Sequence, residues 1–265
     1  MTKHNLKKFY IFFSSIFIFI LHIPFVFAKT KPVSIIQPEE KKLEFFVNSE
    51  SPLVAVSTSH ANVYDSLRLN LMGLSQQAFQ YAMQGFDHLL KAGKISNDKI
   101  ISIVDFSQSS NKKRLFVIDL NNYKVVFNTY VAHGVNSGKE FAQQFSNRAE
   151  SFKSSLGFYE TLQTYNGKNG YSLHLQGLEK GINDNADNRA IVMHGADYVS
   201  ENLIHSQGYI GRSWGCPAVP EKLHKPIINK IKNGTCLFIY SPDKNYLVHS
   251  KILQDAVGMA FANTN

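Results

Sequence analysis

The residues best suited to do chemistry lie in Gly211-Arg212-Ser213-Trp214-Gly215-Cys216-Pro217-Ala218-Val219, which holds one of the two cysteines in the chain. Small residues around Cys216 leave room for a substrate. The apolar run Ile191-Val192-Met193 stops at His194-Gly195, and His194 stands 22 residues before Cys216. A thiolate is a strong nucleophile toward carbonyl carbon, and a neighbouring imidazole can take its proton and keep it reactive near neutral pH. The spacing suits a strand ending at His194 and a turn beginning at Cys216. Pro217 is compatible with the first position of a short helix capped by Cys216, so peptide dipoles would also favour the thiolate. The N–H groups of Gly215 and Cys216 are candidate oxyanion donors. The chemistry implied is covalent catalysis on an acyl group.

Each residue also has a plainer role. An isolated cysteine is usually inert core and an isolated histidine usually a satisfied polar group. His133-Gly134 ends a strand-like run, 128–132, as His194-Gly195 does; it either lines the cleft or is structural. His174 alternates with Tyr171, Leu173 and Leu175 and reads as a half-buried strand residue. Asp197 and Tyr198 are candidates to orient His194. His133, His174, His194 and Cys216 could supply four zinc ligands, but no pair has close ligand spacing such as His-x-x-x-His or Cys-x-x-Cys; no metal or other cofactor is expected. Cys236, inside Thr235–Tyr240, reads as a buried strand residue and Cys216 as a free thiol, against the alternative of a bridge between them.

The elements that must position these groups can be read from pattern. Lys3, Lys7 and Lys8 precede an apolar stretch from Phe9 to Phe27 that ends in Val26-Phe27-Ala28, so residues 1–28 are expected to be a secretory signal peptide. An uncleaved anchor is the alternative. Removing three lysines from a chain of net charge +8 leaves +5, without a run of five like charges. That balance suits a polyanionic wall or envelope surface better than nucleic acid, or serves solubility alone. Residues 29–59 read as a linker or surface arm. Residues 60–99 read as a helical segment, because Leu67, Leu71, Leu74, Ala78, Tyr81 and Leu89 recur at helical steps and Gly93 would end it.

From residue 100 the texture is that of strands. Strands are expected at Ile100–Phe106, Arg114–Leu120, Tyr123–Val131, Gly157–Tyr165, Tyr171–Leu175, Ala190–His194 and Thr235–Tyr240, with a hairpin at Asn121-Asn122. Long loops at 132–155 and 177–189 are placed to line a site. A helix is expected over 221–233, and a tail, 243–265, with a final short helix. The fold class is mostly β, with N-terminal helices and a few short ones, and residues 100–242 form the catalytic domain.

Met193-His194-Gly195 with Ser213-Trp214-Gly215-Cys216 resembles the His…Ser-His-Gly-Cys signature of the YkuD-type L,D-transpeptidases. The series His133-Gly134, Phe145-Ser146-Asn147, Ser154-Ser155-Leu156-Gly157-Phe158-Tyr159, Gly170-Tyr171-Ser172-Leu173, Asn188-Arg189-Ala190, Gly211-Arg212-Ser213 and Cys216-Pro217-Ala218 resembles the murein L,D-transpeptidase branch. The resemblance implies a β-rich domain acting on peptidoglycan stem peptides outside the cytoplasm, in the periplasm or secreted. Cys216 would attack the third stem residue, the terminal D-alanine would leave, and the thioester would pass to an amine, or to water in an L,D-carboxypeptidase. His194 would be the base, Gly195 would orient it through its carbonyl, and Gly215 and Cys216 would form the oxyanion hole. Two positions depart from the signature. Trp214 stands where a second histidine is usual, and Ala218 where an arginine is usual. Trp214 could pack on the stem peptide or take a plain core role, Arg212 or Arg189 could pair with the D-alanine carboxylate, Ser213 could bond across the turn or only support it, and a structural ion pair is the alternative for Arg189. The departures also admit a wall-binding protein without turnover. No membrane insertion after signal cleavage is expected; the oligomeric state is not legible.

Overall fold

The structure, a computed structural model, describes residues 62–262, with side chains through residue 256. The signal segment 1–28 and the arm 29–59 lie outside the described residues. Eight strands form one sheet: β1 (Ile100–Asp105), β2 (Leu115–Asp119), β3 (Lys124–Thr129), β4 (Gly157–Gly167), β5 (Gly170–Gly177), β6 (Val192–Ala196), β7 (Ala218–Pro220) and β8 (Cys236–Tyr240). Their order is β3-β2-β1-β8-β4-β5-β6-β7. The β1–β8 and β6–β7 pairs are parallel and the remainder antiparallel.

Sequence and position agree along the sheet. β8 is central and buried at every position, so Cys236-Leu237-Phe238-Ile239-Tyr240 is apolar throughout rather than alternating. Phe238 stacks on Phe158 of β4, centroids 4.2 Å apart. β3 is the edge, opens with exposed Lys124, and is joined to β2 through the Asn121-Asn122 hairpin. A lysine at an edge discourages further pairing.

The helical expectation for 60–99 divides in two. Residues 62–66 are helical, turns follow, and α1 (Gln76–Lys91) starts at the Ser75 cap, whose hydroxyl accepts the Ala78 N–H at 3.2 Å. Leu71, assigned to the periodic face, lies in the break and is 76% exposed. Ala78, Phe79, Ala82, Met83, Phe86 and Leu89 of α1 join the core of the sheet. Each large apolar side chain so buried contributes about 2 kcal/mol.

Four further helices follow: α2 (Glu201–Gln207), α3 (Glu221–Ile231), α4 (Lys244–His249) and α5 (Lys251–Ala262). The tail thus carries two helices, and Tyr246, Ile252 and Leu253 are buried in the main core. No helix begins at Pro217. Ala218–Pro220 is β7, which pairs with β6 and was not foreseen. The helix dipole expected beside Cys216 is therefore absent. Among the described residues no helix is long and apolar enough to cross a membrane.

Candidate active site

The turn that holds Cys216 lies between two chain segments that both carry His-Gly. On one side His194 of β6 is in register with Ala218 of β7, two residues beyond Cys216. On the other, Gly134 bridges Ser213, Ser213 N–H donates to His133 O at 2.9 Å, and Val135 N–H donates to Ser213 O at 2.7 Å. His194 and Cys216 are therefore brought to adjoining segments by strand pairing.

His194 is buried on β6, between β5 and β7. Its Nδ1 lies 2.9 Å from the Gly195 carbonyl, so Nδ1 carries the proton and the neutral ring has its lone pair at Nε2. Burial lowers its pKa, the Gly195 carbonyl opposes that, and His224 of α3 lowers it further. Strand alternation sends Met193 and Gly195 to the face opposite His194. There α3 packs, and a methyl group on Gly195 would lie 2.6 Å from the His224 ring, so the close approach requires glycine.

Cys216 and Cys236 are both free, which removes the disulfide alternative. Cys236 is fully buried in β8 and burial pushes its thiol up. The Cys216 thiol donates to the Ala190 carbonyl at 3.7 Å. Burial raises its pKa, whereas the Val192 N–H, the Arg189 guanidinium and its own N–H favour the thiolate. Tyr198 lies within electrostatic reach of Cys216, and its hydroxyl pKa is raised by burial first and by Cys216 second. The Gly195 carbonyl, and not Asp197 or Tyr198, holds His194 Nδ1.

The turn itself is closed by Ser213. Its hydroxyl donates to Cys216 O at 2.7 Å and accepts the Gly215 N–H at 3.1 Å. Gly215 N–H is thus engaged within the turn, which corrects its expected place as a free oxyanion donor. Gly215 has φ +124°, and a methyl group there would lie 2.8 Å from the Lys153 carbonyl. Both facts demand glycine.

The remaining candidates separate. His133 is fully buried. Its Nδ1 accepts from Arg114 Nη2 at 2.7 Å and its Nε2 donates to Gly138 O at 3.2 Å. Burial, with the nearby Arg114 charge, lowers its pKa to about 3. It belongs to the frame of the loop, which corrects its expectation as a substrate contact: both nitrogens are spent and the ring is enclosed. Arg212 donates to Gly138 O at 3.2 Å and lies over Tyr209. Among the described residues Arg189 makes no ion pair of the kind considered for it; its guanidinium bonds to carbonyls and hydroxyls of residues 146–155. Trp214 is 71% exposed and contacts Phe152, centroids 5.6 Å apart, which rules out the core alternative for it. His174 is half-buried beside Tyr165, as its strand pattern suggested. Among the described residues no three or more metal-ligating side chains cluster.

Arg114 and His224 were missed. Arg114 is fully buried, donates to the Val131 and Gln108 carbonyls, and sits 4.6 Å from the Phe106 ring; burial lowers its pKa to about 9. A charge heading an apolar run ordinarily reads as an exposed strand end. His224 lies on a helix with a polar pattern and gave no signal; the bare Cα of Gly195 was the one hint of a close neighbour.

A family described as L,D-transpeptidase catalytic domain matches residues 71–240. No curated protein matches the chain. Among solved structures, an L,D-transpeptidase from Mycobacterium smegmatis is 12% identical with a TM-score of 0.33, covering 54% of this chain and 59% of that one. L,D-transpeptidase 1 of Mycobacterium tuberculosis is 10% identical with a TM-score of 0.31, covering 55% and 63%. An L,D-transpeptidase from Stackebrandtia nassauensis is 14% identical with a TM-score of 0.34, covering 65% and 74%. The chain spans about three fifths of the length of the two mycobacterial structures. The family match covers well over half of the sequence. The chain belongs to the L,D-transpeptidase catalytic-domain family.

Proposed function

We propose that this protein is a cysteine acyltransferase acting on peptidoglycan stem peptides outside the cytoplasm, with Cys216 as nucleophile and His194 as base. The observation that carries the reading is the strand register that sets His194 beside the nucleophile turn with Nδ1 held by Gly195 and Nε2 as the basic nitrogen. In the first step the Cys216 proton passes to His194 Nε2 and the sulfur attacks the carbonyl carbon of the third stem residue. The oxyanion forms beside the Cys216 N–H. The bond to the terminal D-alanine breaks, its amine takes the proton from His194, and a thioester remains. In the second step His194 accepts a proton from an attacking amine, the new amide forms as the C–S bond breaks, and the departing Cys216 sulfur takes that proton back from His194. Water in place of the amine gives a carboxypeptidase. No cofactor enters either step.

Trp214 favours the amine. An exposed indole two residues before Cys216, packed on Phe152, offers an apolar surface against which an acceptor stem can rest. The test is incubation of the full chain with disaccharide-tetrapeptide, followed by mass spectrometry, with Cys216→Ala as control. Cross-linked dimer lacking one alanine supports transpeptidation; tripeptide monomer alone means hydrolysis. Products identical to the control reject turnover of this donor and favour a wall-binding role.

A further inference from the structure

Arg189 holds a positive charge beside Cys216 and, among the described residues, forms no ion pair with a carboxylate. Nη1 donates to Ser146 O at 2.7 Å and to Ser155 Oγ at 2.6 Å. Nη2 donates to Lys153 O at 2.6 Å and to Ser151 Oγ at 3.3 Å. All four Nη protons are spent on carbonyls and hydroxyls, so the fork has none left to grip a substrate carboxylate in bidentate fashion. A neutral network of this kind satisfies the guanidinium as a donor without cancelling its charge. Nη2 would lie 3.2 Å from a methyl group on Gly215, so the charge stands against the residue before Cys216.

The backbone keeps it there. Ala190 adopts φ +52°, in the left-handed region that L-residues avoid at a cost of about 1–2 kcal/mol. That turn lets the chain leave Arg189, aim the Ala190 carbonyl at the Cys216 sulfur, and enter β6 with the Val192 N–H directed at the same sulfur. The carbonyl favours the thiol; the N–H and the guanidinium favour the thiolate. Strain at such a place is characteristic of functional sites.

We propose that Arg189 is the electrostatic partner of Cys216: it holds the thiolate by charge and, with the same guanidinium, straps residues 146–155 to the nucleophile turn. This supplies the stabilisation that neither a helix dipole nor a second histidine provides, since β7 follows Cys216 and Trp214 precedes Gly215. The inference rests on the reading of Cys216 as the reactive thiol, and not on the identity of the substrate. Arg189 acts through Cys216 and is a positioning residue.

The test measures the rate of Cys216 alkylation by iodoacetamide against pH in the full chain, with Cys216→Ala subtracting any reaction at Cys236. The other ionisable neighbours are Tyr198, after β6, and His194 on β6, so each profile is repeated in a His194→Gln background. Arg189→Gln should raise the alkylation midpoint by about one pH unit or more and slow the reaction at neutral pH roughly tenfold. Arg189→Lys keeps the charge and should stay within about half a unit of wild type, although it loses the fork and melts earlier. Coincident midpoints for wild type and a folded Arg189→Gln overturn the proposal. If Arg189→Gln does not fold, a folded Arg189→Lys whose midpoint rises by a full unit overturns it. Because the readout is alkylation, a midpoint shift in a protein that fails to turn over stem peptide would leave this inference standing and reject the proposed donor instead.

Discussion

His133-Gly134 and His194-Gly195 are near copies in sequence and opposites in the fold. Each follows an apolar or strand-like run, each flanks the nucleophile turn, and each histidine is buried with its pKa pushed down, burial being the largest cause. The difference lies in what meets the second nitrogen. His133 receives Arg114 on Nδ1 and gives its Nε2 proton to Gly138 O, so both ring nitrogens are consumed by structure. His194 spends Nδ1 on the carbonyl of the next residue, which leaves the lone pair at Nε2 for the proposed role of base. Burial alone does not distinguish a support from a catalyst. The distinction is whether the fold has left one nitrogen unspent.

The largest effect that would break this contrast is kinetic. His194→Ala should lower turnover by about 10²–10⁴-fold with the fold preserved, since general-base contributions are of that size. His133→Gln should change the turnover of the folded fraction by no more than a few-fold. Comparable kinetic losses for the two, at equal folded fraction, would erase the difference.

Stability should reverse the ranking. His133→Ala leaves a buried Arg114 N–H without its acceptor and opens a cavity, and should cost about 2–4 kcal/mol by urea unfolding. His194→Ala should cost less, about 1–2 kcal/mol, because it loses the Gly195 hydrogen bond and some packing but strands no buried cation.

The pH dependence follows from His133. An unfolded histidine titrates near 6.5 and the folded one near about 3, so between these values the unfolded chain binds the extra proton. Its share of stability is complete above the unfolded pKa and is lost as pH falls toward the folded one. That share is on the order of 5 kcal/mol, and His133→Gln should flatten the decline between pH 6.5 and 3. Parallel urea midpoints for wild type and His133→Gln across that range would contradict the assignment.

The smallest effect expected is at Trp214. With its side chain largely in solvent, Trp214→Ala should move stability by no more than about 0.5 kcal/mol. Its consequence should fall on the ratio of cross-linked to hydrolysed product, which the same product analysis reads directly.

Much of this was legible in the sequence for physical reasons. β1, β2 and β8 are runs of apolar residues rich in β-branched and aromatic types, because strands buried inside a sheet need them on both faces. That His194-Gly195 and Cys216 lie on adjoining segments was legible, because glycine and small residues mark close approach. β7 was not, since three residues with a proline carry no period, and Pro217 read as a helix start. The break in the first helix was hidden because Leu67, Leu71 and Leu74 keep helical spacing through turns. The fates of His133, Gly215 and Arg189 were illegible for another reason. Each is decided by partners distant in sequence, Arg114, Ser213 Oγ and the carbonyls of 146–155, whose approach depends on the folded sheet.

The most direct test of the central claim is to trap the acyl-enzyme. The full chain is mixed with disaccharide-tetrapeptide, quenched in acid within the first turnovers, and read by intact-mass and peptide-mapping spectrometry. The account predicts an adduct equal to the donor less alanine, carried by the peptide containing Cys216 and absent in Cys216→Ala. Cross-linked product formed without that adduct, or an adduct that persists in Cys216→Ala, would contradict it.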